Sequence, residues 1–198
     1  MKIKKFLIFT ISIILFFSSF SKLYSIEPDV FVQSTVNRAS KVLSGNFSKE
    51  VKIEKLKSIA EETVDIDILG LYTLGSHRKI LNNDQKKEYK ILFRKYFLKS
   101  FSSRLAEYSN PEIQVNSKKQ ISKNYTIVSS SLVATEKRPE VKIDWRIYTK
   151  DPENPLIRDL IIEGLSLART QKEEFSSIIQ SNDNNINALF ENLREFIK

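Results

Sequence analysis

At Pro111 the spacing of apolar residues changes from a helical period to a period of two, and that segregation constrains the fold more than any other feature. Upstream, Phe31, Val32, Val36, Ala39, Val42 and Leu43 recur at helical steps until Gly45-Asn46 breaks the run. Ser48 is placed to cap a second helix carrying Val51, Ile53, Leu56, Ile59 and Ala60. Val64 to Leu74 is apolar enough for burial on several sides, and Gly70 and Gly75 mark turns or close packing. The clearest helix is expected from Asn83 to Tyr108. Asn82 with Gln85 forms a capping box ahead of a stripe of Tyr89, Leu92, Phe93, Tyr96, Phe97, Phe101, Leu105 and Tyr108. Beyond Pro111, strands are expected at Glu112 to Ser117, Tyr125 to Thr135, Val141 to Thr149 and Leu156 to Leu167. In the third, Val141, Ile143, Trp145 and Ile147 alternate with Lys142, Asp144, Arg146 and Tyr148, which predicts one dry and one wet face. Lys137-Arg138-Pro139 and Asp151 to Pro155 are turn chemistry, and the segment Gln171 to Ile197 returns to helix with a break at Asn182 to Asn185. The whole describes an α+β fold: a four-stranded antiparallel sheet packed by its dry face against several helices.

The first residues set the compartment. Lys2, Lys4 and Lys5 precede an apolar run from Phe6 to Phe20 and a cleavage region at Leu23-Tyr24-Ser25. Met1 to Ser25 thus reads as a secretory signal, cleaved because its apolar run is shorter than the roughly 20 residues that span a bilayer. Residues 26–198 then form one domain, with no Cys for a disulfide or a lipid anchor. The leader carries four Lys and no acid, so its removal lowers the formal charge from +8 to +4. The remaining basic residues are interleaved with acids, as in Lys49 to Lys55, and no nucleic-acid partner is expected.

Enzyme signatures are nearly absent. His77 is the single His, no Gly-x-Ser-x-Gly elbow presents a nucleophile, and four scattered Gly build no phosphate-cradling loop. A zinc site would rest on carboxylates alone, so no metal is expected. What the chain has in excess is apolar surface, on the Tyr89 to Tyr108 stripe and on the Val141 to Ile147 strand face. Two readings remain open: an ordinary closed core, or two surfaces that enclose an apolar cavity for a small molecule.

Particular residues carry a family resemblance. Glu163-Gly164-Leu165-Ser166-Leu167, then Lys172 and Phe175-Ser176-Ser177-Ile178-Ile179, resembles the C-terminal signature of the MlaC family, also called toluene-tolerance proteins. Leu74-Gly75-Ser76-His77-Arg78, Gln85, Leu105-Ala106-Glu107-Tyr108, Trp145-Arg146-Ile147-Tyr148 and Arg158-Asp159 match in order, so that the resemblance covers roughly Phe31 to Leu193. His77 stands where the family usually has Trp, Lys172 where it often has Arg, and Asn182 to Asn185 replaces a Gly-containing turn. The resemblance implies a periplasmic phospholipid carrier with no enzymatic activity and no cofactor beyond its cargo. It implies an apolar pocket for the acyl chains, with the head group near solvent. It also implies handover between an outer-membrane lipoprotein complex and an inner-membrane ABC transporter bearing an MCE-domain subunit, by a monomer. The pocket-lining residues it implies are Leu71, Leu74, Phe93, Phe97, Phe101, Ile127, Ile143, Trp145, Ile147, Leu160 and Ile162. The alternatives are an enzyme on a similar cone-shaped α+β fold using His77, and a periplasmic adaptor that binds no lipid.

Overall fold

A computed structural model describes residues 25–136 and 138–198. The leader reading therefore lies, apart from Ser25, outside the described residues, as does Lys137 of the expected turn. Helix α1 spans Pro28–Ser44, with Pro at its first position, where the missing N–H costs no hydrogen bond. Helix α2, Lys49–Thr63, is capped as expected by Ser48, which accepts from the Val51 N–H at 3.3 Å. Helix α3, Ile66–Thr73, is capped by Asp65, and a 3-10 turn at Gly75–Lys79 leads to α4, Asn83–Leu105. Both halves of the Asn82/Gln85 capping box are formed, at 2.9 and 3.0 Å. Helix α4 stops three residues before Tyr108. Tight turns (Glu107 N–H to Arg104, Tyr108 N–H to Leu105) unwind it before Asn110, held at φ 49° ahead of Pro111.

The sheet is an antiparallel meander in the order β1-β2-β3-β4-β5: Ile113–Ser122, Tyr125–Leu132, Val141–Tyr148, Leu156–Ile162 and Leu165–Ser166. It has five strands where four were expected. Glu163 and Gly164 both take positive φ, 49° and 83°, the backbone of a two-residue primed turn, so the last expected strand folds back on itself. Strand β1 runs to Ser122 rather than Ser117. Its far half pairs with β2, but two bulges and a solvent-exposed edge erase the alternation that would have revealed it. Helices α5, Leu167–Gln180, and α6, Ile186–Ile197, close the chain on either side of the Asn182 to Asn185 break.

Two apolar cores result. One is helical: Ala60, Ile66, Leu74, Tyr89, Phe93, Phe175, Phe190 and Leu193 are buried together, drawing on α2 to α6. Phe93 sits at its centre, 5.8 Å from Tyr89, 6.2 Å from Phe97 and edge-on to Phe175 at 6.3 Å between ring centroids. Gly70 lets α3 approach this cluster, since a Cβ there would lie 2.7 Å from the Phe93 ring. The Tyr89 hydroxyl is paired with Thr73 at 2.8 Å, and its burial raises its pKa above the ordinary phenol value. The second core joins Val32 and Val36 of α1 to Val128, Leu132, Ile143, Trp145, Ile147 and Ile157 on one face of the sheet. Trp145 is tied there by its Nε1 donating to Ser130 at 2.8 Å. Lys118 of β1 pins the start of α1, with Glu27 at 2.5 Å and Asp29 at 2.7 Å.

Candidate ligand cavity

Of the two readings left open by the sequence, the closed core describes these surfaces: the helix stripe and the dry strand face lie in separate apolar cores. The aromatic stripe of α4 is consumed by helix-helix packing, and the Trp145 face is covered by α1. Leu74 and Phe93 lie in the helical core with Phe97 and Phe101 against it, while Ile143, Trp145, Ile147 and Leu160 belong to the sheet core. Ile162 shares that face by register with Ile143, Leu71 is half-buried on α3, and Ile127 lies on the opposite face, paired with Arg146. Beside the two cores the described residues leave a space that none of these residues lines.

That space is a cavity of about 300 Å³ on the other face of the sheet, the one expected to be wet. Its floor is Tyr125, Arg146, Arg158 and Asp159, its cover is Ile68, Leu69 and Tyr72 of α3 with Ala168 of α5, and Ile121 closes the β1 side. The sequence does not place this space, for a simple reason: alternation shows which side chains share a face, not which helix will cover that face. Here α3 and α5 cover the polar side over β4 and leave a gap, so the strand charges sit under helices instead of in bulk water.

Each covering helix is anchored to β4 by its N-terminus. The Asp65 N–H donates to the Ile157 carbonyl at 2.9 Å, and the Asp65 carboxylate accepts from Arg158 Nε at 2.9 Å and pairs with its Nη2 at 2.8 Å. Arg158 also donates to the Tyr125 hydroxyl at 2.7 Å and lies 3.4 Å above the Tyr148 ring centroid. Burial alone would lower its pKa, but the bonds to Tyr125 and Asp65 outweigh that and hold it above the usual guanidinium value. Asp159, only 5% exposed, anchors α5: its Oδ1 accepts from the Ala168 N–H at 3.0 Å and its Oδ2 from the Ser166 hydroxyl at 2.6 Å, an acid at a helix N-terminus. The bulge that places Arg158 and Asp159 side by side lies opposite Arg146 and Ile147.

At the rim, Tyr72 is 39% exposed and Ile68 42%, and the Lys172 ammonium stands 5.8 Å from the Tyr72 ring. The Lys172 stem runs along Gly75, whose φ of 55° and closeness to that side chain account for a glycine there. His77 is in the 3-10 turn and is not part of the lining. Among the described residues no group of three His, Cys, Asp or Glu could hold a metal ion. The missed residues carried no distinctive signal: Arg146 and Asp159 are opposite charges at cross-strand positions, a pairing equally at home on a face that meets only solvent.

An antiparallel meander with helices on both faces and an apolar, arginine-bearing cavity beneath one helical layer defines the class, a ligand-cavity α+β domain. The profile of the MlaC protein family matches residues 33–195, and the chain belongs to that family. Seven solved chains match it in structure. One is the phospholipid-binding protein from Ralstonia solanacearum, solved in complex with a phospholipid, which is similar at a TM-score of 0.72 and 17% identity over 87% of this chain and 97% of that one. No curated protein matches the sequence.

Proposed function

We propose that this chain is a non-catalytic phospholipid carrier of the bacterial periplasm, exported through a signal peptide, Met1 to Ser25, that is then cleaved, and that it holds acyl chain in the cavity between β3–β4 and α3 and α5. The observation that carries the reading is the cavity itself, apolar on its helical side and placed in a fold similar to that of a protein solved with a phospholipid. Membership of the MlaC family supports the same reading.

The physical case is one of transfer. Two acyl chains carry about 30 methylenes, and exposing them to water would cost on the order of 20 kcal/mol at about 0.8 kcal/mol each. Moving them from bilayer to an apolar cavity exchanges one apolar surrounding for another, with a free energy near zero, so that both loading and release remain accessible. An apolar cavity of about 150 Å³ takes one benzene ring, so the space of about 300 Å³ takes roughly two rings' worth of carbon, a fraction of one lipid. A whole lipid therefore needs more room than this space offers, and loading requires its cover of α3 and α5 to give way. The carrier exchanges its cargo between an outer-membrane lipoprotein complex and an inner-membrane MCE-domain ABC transporter, acting as a monomer with no cofactor. Native mass spectrometry of the chain purified from a bacterial periplasm, followed by solvent extraction, tests this. Phospholipid near one per chain supports the reading, whereas bare protein mass, with a control carrier loaded, refutes it.

A further inference from the structure

Arg146 is the one charged group on the cavity floor whose hydrogen bonds do not close. Arg158 spends its donors on Asp65 and Tyr125. The Asp159 carboxylate is occupied by Ser166 and the Ala168 N–H. The nearest anion to Arg146 is Asp159, at 3.9 Å from Nη1, too far for a hydrogen bond. Its Nε is buried and has no partner, although the side chain as a whole is 43% exposed. The open part of the guanidinium is therefore its Nη fork, and that fork is short of an acceptor.

We propose that Arg146 binds the phosphate of the cargo, forking onto two of its oxygens while the acyl chains run beneath Leu69 and Tyr72. This rests on the carrier reading and adds to it a point of polar recognition. The guanidinium fork matches a phosphodiester in bidentate geometry, which an ammonium does not. The electrostatics of the floor agree. Arg158 and Asp65 cancel as a pair, and Asp159 is held by the Ser166 hydroxyl and the N-terminus of α5, so the floor is formally neutral and the attraction for a monoanion comes from the open fork of Arg146. The apolar cover on the opposite wall lowers the local dielectric and strengthens that attraction. A purely structural role as counter-ion to Asp159 would bring the two groups into hydrogen-bond contact, and they are 3.9 Å apart.

The test uses the full mature chain, stripped of lipid and mixed with vesicles containing a pyrene-chain phosphatidylglycerol or the diacylglycerol with the same chains, which lacks only the phosphate head. The readout is the ratio of the two lipids extracted. The wild type is expected to favour phosphatidylglycerol at least tenfold, equivalent to about 1.4 kcal/mol. Arg146→Met should bring the ratio to near one, and Arg146→Lys, which keeps the charge but not the fork, should fall between. A wild-type ratio near one overturns the inference even if no variant folds, as does a ratio unchanged in a folded Arg146→Met. Extraction of neither lipid by the wild type defeats the carrier reading itself, and the inference with it.

Discussion

Ala168→Phe places a ring into the cavity from its α5 wall. Ala168 is 6% exposed, lies in the first turn of α5 and lines a space of about 300 Å³. A benzene ring fills an apolar cavity of about 150 Å³, so the new side chain takes roughly half the volume. It displaces a ring's worth of acyl chain, about six carbons, and at about 0.8 kcal/mol each the loss is about 5 kcal/mol, more than a thousandfold in affinity. The fold should tolerate it, because the ring enters existing space and the Ala168 N–H keeps its bond to Asp159. Lipid per chain after periplasmic purification, counted by mass spectrometry, should fall to near zero, while thermal melting stays within a few degrees of wild type. Full lipid load in a folded Ala168→Phe would refute the placement of the acyl chain in this cavity.

Trp145→Phe should lower stability by about 1–2 kcal/mol, through lost packing and the lost bond to Ser130, and leave lipid load unchanged, as melting and lipid counting would show. Asp65→Asn leaves the largely buried Arg158 uncompensated and should cost about 2–3 kcal/mol, a fall of roughly 5–10 °C in Tm; calorimetry checks it. Gly70→Ala forces the buried Phe93 ring aside and should cost about 1–3 kcal/mol in urea unfolding. Asp29 is held below its ordinary 3.8 chiefly by its hydrogen bond from Lys118. At Asp67 burial works the other way but is outweighed by Arg94 and Lys90, so its pKa too falls below 3.8. Both carboxylates contribute stability that is full above about pH 4 and is lost as pH falls through their depressed values. The stability gap between wild type and Lys118→Met should accordingly shrink as urea midpoints are measured from pH 6 down to pH 2.5.

The helices were legible wherever a cap and a stripe coincided, as at Ser48 and at Asn82 with Gln85. The change of period at Pro111 placed the sheet, and the order of motifs from Leu74-Gly75 to Glu163-Gly164 pointed to the family to which the chain belongs. The fifth strand was hidden because it depends on a positive φ at Glu163, a residue with no strong preference for it. The site was hidden for a deeper reason. The apolar residues Trp145, Phe93 and Phe97 are the obvious material for a pocket, yet side chains that complementary find each other and close. A gap remains between the charged face of β3 and β4 and the short helix α3, and only the three-dimensional placement of α3 and α5 reveals it.

A crystal structure of the mature chain purified with its lipid measures the central claim most directly. Acyl-chain density against Leu69, Tyr72 and Ala168, with the sheet floor at Arg146 beneath it, is the predicted result. Density instead between α1 and the Trp145 face, with the space under α3 empty, would contradict the account.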